Sequence, residues 1–106
     1  MTLTCEESEG RRLIRLAGDA AFETAGQLRA VLLEALGAGA PSALELTGAT
    51  ELDLGLVQVI VSARRTFAAR GVPLRVVDGP DGLWEKWLAA TGIGGDINEQ
   101  NGPDCG

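Results

Sequence analysis

Residues 43–71 read ALELTGATELDLGLVQVIVSARRTFAARG, and this stretch decides the fold. Its first part, continuing Ser42 to Leu46, is short and mostly apolar, as a central strand should be. A short polar loop ends at Asp53, and a helix then runs to about Arg70 with Gly71 placed to stop it. Asp53 suits the N-cap, where a carboxylate accepts backbone N–H groups at the positive end of the helix. At about 100° per residue the helix separates two apolar sectors. Leu56, Val59, Ile60, Ala63 and Phe67 form one, an ordinary core stripe, and Leu54, Val57, Val61 and Ala68, flanked by Arg64, form the other. Gln58, Ser62 and Arg65 face away from the core stripe. Either the sheet and a neighbouring helix bury both stripes, or Leu54, Val57 and Val61 are exposed and await a partner; so small a domain has few elements to cover them, which favours exposure. Arg64 and Arg65 would form either a plain solvated face or the polar rim of an interface.

Upstream, residues 2–8 and 11–17 suit two strands joined at Glu9-Gly10 into an antiparallel hairpin. Gly18-Asp19 closes the second strand. Ala25, Leu28, Val31, Leu32, Ala35 and Leu36 recur at helical spacing, with Thr24, or Asp19 for an earlier start, as the N-cap. The run from Gly37 to Pro41 ends that helix. Downstream, Pro73 leads into a strand at 74–77, and the turn-rich 78–82 precedes a helix over Leu83–Thr91 stopped by Gly92. Trp84, Trp87 and Leu88 make its apolar face. A short strand at 93–97 and a loose tail at 98–106 complete the chain. The order β-β-α-β-α-β-α predicts a single α/β domain over 1–97, with a mixed sheet of four or five strands carrying helices.

Composition narrows function. At 106 residues with 45% apolar content, the chain can build a core without disulfides or metals. The net charge of −6 argues against nucleic acid. No apolar run approaches the roughly 20 residues of a membrane span. The N-terminus lacks a signal peptide's basic-then-apolar layout, which predicts a cytoplasmic protein. Cys5 and Cys105 show no metal or redox spacing and read as incidental thiols. Histidine is absent, which removes the commonest general base and transition-metal ligand. The glycine-rich phosphate motifs are missing, and the aspartates at positions 19, 53, 78 and 81 match no calcium loop. The expectation is therefore a non-enzymatic protein without cofactor or metal.

The chain resembles the STAS domain family over about Leu3 to Ile97. The marks are Leu16-Ala17-Gly18-Asp19, Thr24-Ala25 opening a helix, Leu44-Glu45-Leu46-Thr47-Gly48, Asp53 with its helix, Gly71 before Leu74-Arg75-Val76-Val77, and Thr91-Gly92-Ile93. STAS domains occur in bacterial anti-sigma factor antagonists and at the ends of sulfate transporters, so the resemblance implies a protein–protein switch. In the antagonists a Ser or Thr after the aspartate is phosphorylated by a partner kinase. Here Leu54 stands at that position, Gly55 takes the next, Leu56 replaces a glycine, and Ala21 replaces an acidic residue. Leucine takes no phosphate. Thr50 is a nearby speculative acceptor only.

The segments Asp53–Gln58 and Ser62–Arg65 look more like divergent STAS proteins of chemotaxis-type signalling clusters. The resemblance thus implies a docking module engaging a kinase-like ATPase or a chemotaxis component through Asp53, Leu54, Gly55, Val57, Gln58, Val61, Arg64 and Arg65. The alternative is the small STAS subunit of an ABC-type lipid-transport complex, which docks onto an ATPase. An enzyme or small-molecule sensor rests only on scattered aspartates.

Overall fold

A computed structural model describes residues 1–19 and 23–91, with Thr91 described by its backbone alone. The strands are β1 (Thr2–Ser8), β2 (Arg11–Gly18), β3 (Ser42–Ala49) and β4 (Leu74–Val77). The helices are α1 (Thr24–Gly37), α2 (Leu54–Ala69) and α3 (Leu83–Thr91). The expected order is observed, as a four-stranded mixed sheet in the spatial order β1-β2-β3-β4. β1 runs antiparallel to β2, while β2-β3 and β3-β4 are parallel. The expected strand at 93–97, the stop at Gly92, the tail at 98–106 and Ala21 lie outside the described residues.

Local chemistry sets these elements. Glu9 and Gly10 both have positive φ, 54° and 76°, the conformation of a type I′ turn, whose twist matches the paired strands. α1 and α2 end alike. After α1, the Gly39 N–H donates to Leu36 O and the Ala40 N–H to Ala35 O; after α2, Gly71 donates to Ala68 O and Val72 to Phe67 O. Gly39 and Gly71 hold the left-handed position, φ 65° and 71°, that this paired closure requires. Gly39, rather than Gly37, thus closes α1.

β3 runs three residues past the expected Leu46 because its pairing with β2 shifts between Arg15/Glu45 and Ala17/Gly48, an irregularity that takes up an extra residue. A Cβ on Gly48 would lie 3.0 Å from the Cβ of Ala17, so glycine permits the strands to close there.

The register places Ile14, Leu44 and Val76 side by side on the face that carries the core. Ile14, Leu16, Leu44, Leu46 and Leu74 are buried there with Leu28, Leu32 and Leu36 of α1, and Trp84 and Leu88 of α3 join the same core. The opposite face of the sheet is polar at its centre. Arg15 bridges Glu6 and Glu45, each at 3.3 Å. Arg12 joins the hairpin to α1 through Glu7 at 3.6 Å and Glu34 at 3.2 Å, and the hydrogen bond to Glu34 is the main cause that raises the Arg12 pKa.

Candidate functional site

The loops after β2 and β3 meet beside the start of α2. The Thr50 N–H donates to Gly18 O at 3.0 Å, and the exposed Thr50 hydroxyl donates to the Asp19 carboxylate. Asp19 is therefore committed to this link and does not cap α1. Thr24 does not cap it either: it is the first helical residue, 1% exposed, and the preceding Glu23 makes no side-chain cap bond.

Asp53 caps α2. Its backbone is extended and its Oδ1 accepts the Leu56 N–H at 2.8 Å, as its position before the helix requires. Leu52 precedes the cap and Val57 occupies the fourth helical position, the two places of a hydrophobic staple. Leu52 is 5% exposed and Val57 is 1% exposed, and both belong to the core. The loop is thus not wholly polar, because Leu52 anchors it.

The staple corrects the exposure expected along this helix. Val57 is buried, and Val61 and Arg64 follow it inward at four- and three-residue steps. With Leu56, Ile60 and Phe67 they cover about 140° of the helix circumference, wider than a single stripe. Val59 and Ala63, expected in the core stripe, are only half-buried. Charged Arg64 is 9% exposed and belongs to the buried side rather than to a solvated rim.

What remains outside is one ridge, Leu54, Gly55, Gln58, Ser62 and Arg65, with Ala68 and Ala69 exposed at the helix end. Leu54, in the first turn, is 53% exposed. Two grooves flank the ridge. One, of about 340 Å³, lies between α1 and α2 and is lined by Leu32, Leu33, Leu36, Val59 and Phe67 with Arg29 at its polar margin. The other, of about 470 Å³, is bordered by Leu54, Val57, Val61 and Arg65. Gln58, Ser62 and Thr66 line both. The ridge itself therefore offers one exposed leucine, small residues, an amide, a hydroxyl and a guanidinium. Among the described residues, no three His, Cys, Asp or Glu side chains gather to hold a metal ion, and no helix is long and apolar enough to cross a membrane.

The structure places Asp53 at the cap and Leu54, Gly55, Gln58 and Arg65 on the exposed side of α2, and it turns Val57, Val61 and Arg64 inward. The missed signal was Leu52, one residue before the cap and five before Val57. Asp78 also has a structural task. Its carboxylate accepts the backbone N–H groups of Gly79, Trp84 and Glu85, fixing the start of α3.

The fold is shared with proteins of known structure. An anti-sigma factor antagonist from Mycobacterium paratuberculosis superposes with a TM-score of 0.69 at 16% identity, covering 87% of this chain and 78% of that one. The unphosphorylated form of the anti-sigma factor antagonist SpoIIAA gives 0.63 at 19% identity, covering 71% of each chain. The STAS domain of an antisigma-factor antagonist from Rhodobacter sphaeroides gives 0.54 at 26% identity, covering 72% of this chain and 84% of that one. No curated protein matches the sequence. The family model described as "Mlab, STAS domain" matches residues 3–98, and with nearly the whole described fold inside that match, the chain belongs to the STAS domain family.

Proposed function

We propose that the chain is a non-enzymatic protein–protein interaction module of bacterial signal transduction, anti-sigma antagonist-like or chemotaxis-associated. It works in the cytoplasm and docks through the exposed ridge of α2. The observation that carries the reading is Leu54: an apolar side chain 53% exposed, in the first turn of a helix whose start is held by the Asp53 cap. A capped and stapled first turn presents this side chain on a rigid support, which lowers the ordering cost of binding. Gly55 leaves room for close approach, while Gln58, Ser62 and Arg65 supply a polar margin to the apolar contact. Asp53 contributes by positioning the helix. Val57, Val61 and Arg64 contribute from beneath, by holding the ridge in place.

The partner is a protein surface, a kinase-like ATPase domain or a chemotaxis component. Leucine at position 54 leaves no hydroxyl there, so docking through this turn is not switched by a phosphate on that residue.

The test is capture of partners from the source cells by the wild type beside Leu54→Glu and Gln58→Arg, followed by titration of the recovered partner. The reading expects both variants to keep the far-ultraviolet spectrum and melting behaviour of the wild type and to lose capture. Unchanged capture by both removes the α2 ridge from the account. Recovery of a membrane-bound transport ATPase in place of a soluble kinase or chemotaxis protein selects the alternative, the small STAS subunit of an ABC-type lipid-transport complex.

A further inference from the structure

The two edges of the sheet are built differently. β4 has four residues and is entered through Pro73, so it offers little backbone for another strand to pair with. β1 has seven residues, TLTCEES, in unbroken register with β2 from Thr2↔Ala17 to Ser8↔Arg11. It has no proline, lysine, glycine or bulge, and its two charges, Glu6 and Glu7, are each paired with an arginine of β2. Only Leu3 is half-buried; every other residue of β1 is exposed. Among the described residues no strand lies on its outer side.

We propose that a second copy of this chain occupies that edge, with the two β1 strands antiparallel and centred on Cys5, so that two sheets become one. The strand's own sequence favours a copy of itself. In an antiparallel pair, directly opposed residues both present or both withdraw their N–H and C=O groups, so a two-fold pairing must centre on a residue and not between two. Cys5 is the middle residue of β1, and centring there uses the whole strand. Thr4 then faces the second copy's Glu6, Leu3 faces its Glu7, and Thr2 faces its Ser8. No carboxylate faces another.

Centring on Glu6 instead would oppose two carboxylates directly, which is unfavourable. Within each chain, Arg15 at 3.3 Å from Glu6 and Arg12 at 3.6 Å from Glu7 already offset the charge of the strand. Cys5, a free and exposed thiol, sits against its own copy. The Cα separation expected for opposed residues, about 4.5–5.5 Å, lies within the range a disulfide can bridge. The thiol thereby reports the register.

One strand pair is a small interface, so the association is weak and visible over about 10 μM to 1 mM. Sedimentation equilibrium of the wild type under reducing conditions is expected to show the mass rising from one chain to two across that range. Cys5→Lys, which opposes two ammonium groups at the centre, should weaken association about tenfold or more, while Cys5→Ser should leave it unchanged. With Cys105→Ser, treatment with diamide should link the chains through Cys5. A mass of one chain throughout overturns the proposal, as does equal association of Cys5→Lys and wild type. Failure of Cys5 to cross-link where the dimer is populated overturns the register.

Discussion

α1 and α2 contribute to one core over the same sheet and close with the same pair of backbone hydrogen bonds around a left-handed glycine, yet they start differently. α1 follows Glu23, which makes no side-chain cap, and its first residue, Thr24, is buried. α2 follows Asp53, which caps it, and its first residue, Leu54, is exposed. Each helix presents one large exposed apolar side chain, Leu33 in the third turn of α1 and Leu54 in the first turn of α2. The contrast shows where the fold invests local order. The cap and the staple of Leu52 and Val57 fix the entry of α2, and that fixed entry carries the exposed leucine.

Four expectations break or sharpen this contrast, in descending size. Val57→Glu places a carboxylate in the core and should cost about 3–5 kcal/mol or unfold the domain, whereas Leu54→Glu, one turn-start away but exposed, should stay within about 0.5 kcal/mol by urea denaturation. Similar losses for the two would erase the distinction between the buried and the exposed side of α2. Gly39→Ala and Gly71→Ala each force a side chain into the left-handed region and should each lose about 1–2 kcal/mol. Clearly unequal losses would show that the two helix ends are not equivalent.

Asp53→Ala should lose about 1 kcal/mol with its cap, and Glu23→Ala only a few tenths. Equal values in thermal melts would contradict the difference between the two starts. Glu34→Gln, which removes the exposed partner of Arg12, should have the smallest effect of the four on thermal melts, and a smaller one still in high salt.

Much of this arrangement was legible in the sequence because it depends on short-range signals. The alternation in β2, the Glu9-Gly10 turn, the Asp53 cap and the helical spacing of α1 each declare themselves within a few residues. The extension of β3 was not legible, since it depends on Ala17 meeting Gly48 across two strands. The cap of α1 was not legible for a similar reason, although its start was expected within one residue. The natural cap candidates, Asp19 and Thr24, are engaged elsewhere: the first holds Thr50 and the second is buried.

The candidate site was half legible. Periodicity identified α2 as apolar on more than one side, but periodicity has no origin and cannot say which apolar sector turns inward. The staple supplies that origin through a residue outside the helix, Leu52. It moves Val57, Val61 and Arg64 under the surface and leaves Leu54, Gln58 and Arg65 on it.

The most direct test of the central claim is a matched pair of affinities. Titrating the captured partner by calorimetry against the wild type, Leu54→Glu and Leu33→Glu compares the two exposed leucines under identical chemistry. The account predicts that Leu54→Glu weakens binding about tenfold or more while Leu33→Glu changes it less than about threefold. Equal affinity of Leu54→Glu and wild type, or a larger loss at Leu33, would contradict docking through the first turns of α2.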